Sequence, residues 1–265
     1  MNILYLGDVM GEMGIEVVEN MLPALVKEKS VHFVVAQAEN VSEGKGLSLK
    51  DYERLKNAGV HAFTGGNWSM HLAETHALLD DEHAPVTRPA NYPEDTVGKQ
   101  YKIVSSPEGK VLIVSLLGSI VGKDAERPMD NPLKVVDEIL ASLLHESFAA
   151  IIVNFHGDYS SEKVVIGQYL DGRVTAVVGD HWHVPTADAR VMSGGTAHIT
   201  DVGMCGSLES SLGVTYDSVI PRWRDGIQTR NVLETKGLCQ LNAVCIETNA
   251  ETGRARAIEQ IRIVR

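Results

Sequence analysis

Apolar residues along this chain gather into short unbroken runs: 2–7 (NILYLG), 32–38 (HFVVAQA), 101–106 (YKIVSS), 111–118 (VLIVSLLG), 149–155 (AAIIVNF) and 174–179 (VTAVVG). Runs of this length, rich in Val and Ile and closing on Gly or a polar residue, are the pattern of strands buried on both faces. A shorter run, VHAF, leads into the glycines of TGGN and reads as one more strand ending in a tight turn. Between these lie stretches with helical spacing at 15–28, 48–58, 70–80 and 132–147. Strand–helix–strand alternation predicts an α/β fold with a substantially parallel sheet. Farther along, 196–203, 240–248 and 256–264 alternate more, which suits antiparallel pairing. No repeat, low-complexity tract or Pro/Ser linker interrupts the chain, so a single domain over 1–265 is expected, with 204–235 inserted as helix and loop. Leu208, Leu212, Tyr216, Ile220 and Trp223 of that insertion would cover the sheet or meet a second subunit.

Composition narrows the partners. The 24 Lys and Arg against 35 Asp and Glu give a formal charge of −11, which repels duplex nucleic acid and anionic membrane. A small anion can still bind where metals or backbone N–H groups reverse the local field. Cys205, Cys239 and Cys245 show no CxxC spacing and read as thiols in a reducing compartment. No run approaches the roughly 20 apolar residues of a membrane helix. The first strand lacks the basic flank and cleavage pattern of a signal peptide. A cytoplasmic protein is expected.

The polar residues that follow the strands carry the chemistry. Asp8 follows the first, Glu39 and Asn40 the second, Asn67 the VHAF strand, His156 the 149–155 strand, and His181 and His183 the 174–179 strand. Ligands of open α/β sheets bind outside the carboxyl ends of the strands, so these residues could converge. Each also has a plainer reading. Asp8 could cap a helix or hold a turn, Glu39 and Asn40 could open a polar loop, Asn67 could be a left-handed turn residue, and His156 a satisfied core histidine. Ligation is the better reading for the pair in His181-Trp182-His183. A nitrogen-and-oxygen set without Cys suits Mn, Fe or Zn. Seven such residues could supply two ions sharing one carboxylate. Two ions about 3.5–4 Å apart clamp the oxygens of an in-line displacement at phosphorus, which makes phosphoester hydrolysis the natural reaction.

At these residues the sequence resembles the calcineurin-like metallophosphoesterases, and within them the bacterial YmdB-type family of small cyclic-nucleotide phosphodiesterases. The resemblance rests on GDVMG (7–11), AENVSEGKGL (38–47), GGN (65–67), RPANYP (88–93), DNP (130–132), NFHGDYSSEK (154–163), GDHWHVPTAD (179–188) and GGTAHITDVGM (194–204), in order along the chain. It implies a four-layer αββα sandwich with mixed sheets and a dinuclear centre. One metal would be held by Asp8, Glu39, Asn40 and His183, the other by Glu39, Asn67, His156 and His181, with Glu39 bridging. The implied substrate is a small phosphodiester such as a 2′,3′-cyclic nucleotide.

One position departs from the family. Where relatives read Gly-Asn-His, with the histidine taken as the acid for the leaving oxygen, this chain has Trp68. Indole cannot exchange a proton, and general acid catalysis contributes roughly 10²–10⁴-fold. His71, near one helical turn on, is a weak candidate substitute and more readily an exposed helix histidine. Trp68 and Trp182 could stack on a base or simply pack at the rim. The glycine-rich 44–48 run could present N–H groups and Lys45 to a phosphate, or be a flexible loop; Arg88 and Asn91 are expected to fix a loop. A phosphodiesterase weakened by Trp68 is the leading expectation. A metal-bound sensing protein with little turnover and a phosphomonoesterase are the alternatives.

Overall fold

The structure, a computed structural model, describes residues 1–122 and 125–265. Its first half runs β1 (Asn2–Leu6), β2 (Asp8–Val9), α1 (Gly11–Glu28), β3 (Phe33–Gln37), α2 (Leu49–Ala58), β4 (Ala62–Thr64) and α3 (Ala73–Asp80). There follow β5 (Tyr101–Ser106), β6 (Gly109–Leu117), α4 (Pro132–Ser142), β7 (Ala150–His156), α5 (Ser160–Tyr169) and β8 (Ala176–Asp180). The last third holds β9 (Arg190–Val191), β10 (Ala197–Ile199), β11 (Met204–Ser207), α6 (Tyr216–Asp225), β12 (Cys239–Thr248) and β13 (Ala255–Val264). One sheet has the order β2-β11-β12-β1-β3-β4, with β13 also on β12; the other has the order β5-β6-β7-β8-β10-β9. Both are mixed: β1, β3 and β4 run parallel, as do β6, β7 and β8, while β12 and β5 pair antiparallel.

The period-two side-chain alternation of the strands builds four layers. Ile3 and Tyr5 of β1 pack with Phe33, Val35, Val111, Ile113, Ile152 and Val178 between the two sheets. Their neighbours Leu4 and Leu6 face Ile15, Val18 and Leu22 of α1, Leu55 of α2 and Leu78 of α3. On the far side Leu112, Val114, Val153 and Phe155 meet Val135, Val136 and Ile139 of α4 and Ile166 of α5. This is the αββα sandwich, and it explains the unbroken apolar runs: strands covered on both faces have no polar face to show.

Local chemistry sets the helix limits. Ser48 Oγ accepts from Asp51 N at 3.2 Å and Gly59 closes α2 at φ 111°. Asn131 Oδ1 accepts from Leu133 N at 2.9 Å, and Pro132 opens α4. Several elements differ from the sequence reading. Helix α1 starts at Gly11 rather than 15, α3 at Ala73 rather than 70, and α4 stops at Ser142 rather than 147. Helix α5 is not among the expected elements; it buries only Lys163, Ile166 and Gly167 and leaves Val164 and Val165 exposed, so its apolar pattern is blurred. Strand β10 pairs parallel with β8 and antiparallel only with the short β9.

The 204–235 segment opens with strand β11, which pairs parallel with β2 and antiparallel with β12, and continues as loop and helix α6. Of the residues expected to cover the sheet or meet a second subunit, Tyr216, Ile220 and Leu212 are about half exposed and Trp223 82%, while Leu208 is half-buried. Val214 and Val219 pack instead on Met10 and Met204. The three cysteines are free thiols, and among the described residues no helix is long and apolar enough to cross a membrane.

Candidate metal centre

Because β1, β3 and β4 run parallel in one sheet and β6, β7 and β8 in the other, their carboxyl ends deliver polar residues to one place. Glu39, His156 and His181 each present a ligand atom within 4.8 Å of the others. His156 Nε2 lies 2.9 Å from Asn67 Oδ1 and 3.0 Å from Glu39 Oε1, and its ring centroid is 4.3 Å from that of His181. Asp8 and His183 form a second pair, Oδ2 to Nε2 3.7 Å, and His181 N donates to Asp8 Oδ2 at 3.4 Å. Asn40 stands beside Glu39 with its Nδ2 donating to Gly44 O at 3.0 Å. All seven residues that the sequence singles out at strand ends therefore belong to one buried neighbourhood.

Packing there is tight enough to dictate backbone. A Cβ on Gly66 would meet Glu39 Oε2 and lie 2.6 Å from His156 Cγ, so only glycine lets the end of β4 pass the cluster. His181 and His183 both hold positive φ, 103° and 61°. Such strain costs about 1–3 kcal/mol per residue and persists only where the surroundings over-determine it. Those surroundings are visible. Trp182, between the two, donates its N–H to Asp201 Oδ2 at 2.9 Å and its Nε1–H to Asp158 O at 3.1 Å. The ammonium of Lys163, fully buried on α5, lies 4.0 Å from the Trp182 ring centroid and 2.8 Å from Asp201 Oδ2, and also bonds Asp180 O. His183 Nδ1 is held 3.1 Å from Leu212 O.

The electrostatics favour a cation. Asp8, Glu39 and Asp180 are 0–2% exposed. Burial, then the charges of Asp180 and Glu39, push the Asp8 carboxyl well above its ordinary range. Burial works against a charged His156, yet the carboxylates of Glu39 and Asp180 hold its imidazole well above the usual value. Burial lowers both His181, to about 4, and His183, which keeps them neutral and able to ligate. Two buried oxygens, Asp8 Oδ1 and Asn40 Oδ1, have no hydrogen-bond partner. Orphaned acceptors beside crowded carboxylates and neutral imidazoles are what a first-row transition-metal ion would satisfy, so these residues fit a metal.

Sequence reasoning missed Asp180, the last residue of β8. Its carboxylate takes His156 Nδ1 at 2.8 Å, Asn154 Nδ2 at 2.9 Å and Gln37 Nε2. The strand-end rule that found His181 applies equally to the residue just before it. Lys163, Asp201 and Asp158, whose Oδ1 is 3.2 Å from His181 Nε2, carried no local signal. Trp68 touches the centre through its backbone, N to Glu39 Oε2 2.9 Å. Its indole carries the Lys45 ammonium 4.3 Å above it and the His71 ring edge-on at 5.4 Å. A cation on an aromatic face is worth about 0.5–1 kcal/mol when exposed. His71 is exposed and its ring contact is with Trp68, not with the ligand cluster. Arg88 is a structural residue: its guanidinium binds the carbonyls of Pro89, Thr96, Val97 and Gly98.

A family model described as YmdB-like protein matches residues 4–261. The chain belongs to the YmdB-like family. A relative from Bacillus subtilis (strain 168), named 2′,3′-cyclic-nucleotide 2′-phosphodiesterase, is 36% identical over 263 residues, covering 99% of this chain and 97% of its own. Among solved structures, one described as a novel phosphatase from Mycoplasma pneumoniae superposes with a TM-score of 0.91 at 33% identity, covering 100% of this chain and 93% of that one. A hypothetical protein from Thermus thermophilus gives 0.89 at 34%, covering 100% and 99%. The YmdB-like match thus extends over both sheets and every residue of the candidate centre.

Proposed function

We propose that this chain is a phosphoric ester hydrolase: a dinuclear-metal-dependent phosphodiesterase acting on small phosphodiesters, 2′,3′-cyclic nucleotides among them. The observation that carries the reading is the buried convergence of Asp8, Glu39, Asn40, Asn67, His156, His181 and His183, with the Asp8 and Asn40 oxygens unpartnered. The names of the Bacillus and Mycoplasma relatives support the same chemistry.

The geometry supports a division of ligands. In this reading Asp8, Asn40 and His183 would hold one ion with Glu39, and Asn67, His156 and His181 the other with Glu39 shared; the Asp8–His183 pair and the His156 contacts to Asn67 and Glu39 support it. Two such ions (Mn, Fe or Zn) would supply Lewis-acid activation of a water nucleophile and neutralise charge on the phosphoryl oxygens. The chain's own residues do the rest. Asp180 fixes the His156 ring so that Nε2 faces Glu39 and Asn67. Trp182, clamped by Lys163 and Asp201, keeps the backbone of both flanking histidines in strained but fixed positions. The backbone N–H of Trp68 orients the Glu39 carboxylate.

The test compares turnover of bis(4-nitrophenyl) phosphate and 2′,3′-cyclic AMP in Mn²⁺, with His156→Ala as control. Activity on either substrate that is lost in His156→Ala is expected. Silence on both, with metal bound, sinks the hydrolase reading in favour of a sensing role in which Trp68 closes the site.

A further inference from the structure

On the assumption that the centre hydrolyses phosphodiesters, we infer that Lys45 is a catalytic residue of this site, its ammonium held against the substrate's leaving oxygen by Trp68. Three tethers bring Lys45 to the metal ligands. The loop residue before it, Gly44, gives its carbonyl to Asn40 Nδ2 at 3.0 Å. The residue after it, Gly46, donates its N–H to the Glu39 carbonyl. Lys45 itself donates its N–H to Ser42 O at 2.9 Å, which closes the turn. Gly44 and Gly46 hold φ of 80° and 76°, the left-handed conformation that lets so short a loop fold back on the two ligand residues.

The third tether is the side chain. Its Nζ rests 4.3 Å from the centroid of the Trp68 ring, and the Trp68 N–H is bonded to Glu39 Oε2 at 2.9 Å. One ligand residue, Glu39, thus anchors the lysine loop through its carbonyl and the indole through its carboxylate. In a chain with 35 acidic side chains, no carboxylate among the described residues pairs with this ammonium. An indole face holds a cation without taking its N–H donors, so Lys45 keeps its donors for a ligand. Lys45 and, roughly perpendicular at 5.4 Å between centroids, the His71 ring are the side chains recorded against the indole, which thus serves as a mount for the cation.

In the hydrolysis of a cyclic diester, one P–O bond forms to the oxygen of water and one breaks, its electron pair leaving on a ribose oxygen. Water gives up a proton and the leaving oxygen gains one. Lys45 donates a charge-assisted hydrogen bond to that oxygen as negative charge develops on it. The demand for this donor is large for a ribose alkoxide and small for a nitrophenolate, whose charge the ring already spreads.

The experiment measures kcat/KM on 2′,3′-cyclic AMP and on bis(4-nitrophenyl) phosphate in Mn²⁺, for the full chain and for Lys45→Met, Lys45→Arg, Trp68→Leu and the double variant Lys45→Met/Trp68→His. Metal content and binding of adenosine 3′-monophosphate are read on the same samples. Lys45→Met is expected to lower the cyclic-to-aryl ratio by about 10²-fold, the lower range of what a donor to a poor leaving group contributes. It should also weaken nucleotide binding about tenfold, the worth of one charge-assisted hydrogen bond, with metal content unchanged. Lys45→Arg, whose guanidinium also sits on indole, should keep most of the ratio, and Trp68→Leu should lower it by releasing the lysine. In the double variant an imidazole at 68 should recover it. Equal losses on both substrates, or none, overturn the role of Lys45 while leaving the hydrolase reading in place. A wild-type chain that binds metal and cleaves neither substrate overturns both.

Discussion

Asp180 makes the most of one side chain. Both its oxygens are used: Oδ1 by His156 Nδ1, Oδ2 by Asn154 and by Gln37, which reaches across from β3 in the facing sheet. Burial alone would raise its pKa, but the charge and hydrogen bond of His156 hold the carboxyl below the ordinary value. The residue therefore stays ionised and fixes which imidazole nitrogen faces Glu39. Asp180→Asn keeps the shape and removes the charge, and its amide N–H₂ must then face other donors. Outer carboxylates of this kind are worth about 10–100-fold in metal affinity. Competition against a chromophoric chelator should read a loss of that size for Mn²⁺ or Zn²⁺; an unchanged affinity would mean that Asp180 only fills space.

Between β8 and β9 the elements divide the labour differently: the strand delivers the histidines and the helix preceding it in the chain holds them. Lys163 of α5 reaches Asp180 O, Asp201 and the Trp182 ring. Lys163→Met would leave the Asp201 carboxylate buried without its cation, at a cost of about 3–5 kcal/mol. Adding Asp201→Asn should return part of it. Urea denaturation of the two variants measures both; a single variant as stable as wild type would mean that the pair contributes nothing net. These relations also mark what the sequence could tell. The strands are legible because burial on both faces writes continuous apolar runs, and the cluster of candidate ligands because each sits at a strand end with the right chemistry. Helix α5 is illegible, since its buried face is a lysine, an isoleucine and a glycine. The parallel pairing of β10 escapes notice because three residues carry too little pattern to show direction. Lys163–Asp201 and His156–Asp180 are hidden for another reason: their meaning lies in partners 38 and 24 residues apart, which no local spacing expresses. The 204–207 strand reads as loop because MCGS has no alternation, although β2 and β12 both claim it.

At the scale of the molecule the centre is a seam. Asp8, Glu39 and Asn67 come from one sheet and His156, His181 and His183 from the other, so the candidate ligands are drawn from both sides of the interface that Ile3, Tyr5, Val35, Ile113 and Ile152 fill. The net charge of −11 adds general attraction for cations, and the buried carboxylates concentrate it here. An ion that binds only the folded chain stabilises it by mass action, about 2.7 kcal/mol when the free ion is 100 times its Kd. For a chain of this size each kcal/mol moves Tm by about 2–4 °C, so chelation should lower Tm by about 5–10 °C. The apolar layers are independent of the ion, since Leu4, Leu6, Leu112, Val114 and their helix partners lie on the outer faces of the sheets. Far-UV circular dichroism below the transition should therefore be the same with and without metal. The shift should also shrink in His156→Ala, where one set of candidate ligands is broken. A Tm that stays fixed while elemental analysis records the loss of the metal would mean that the seam is held by its hydrogen bonds and hydrophobic packing, with His156 as its own counter-charge.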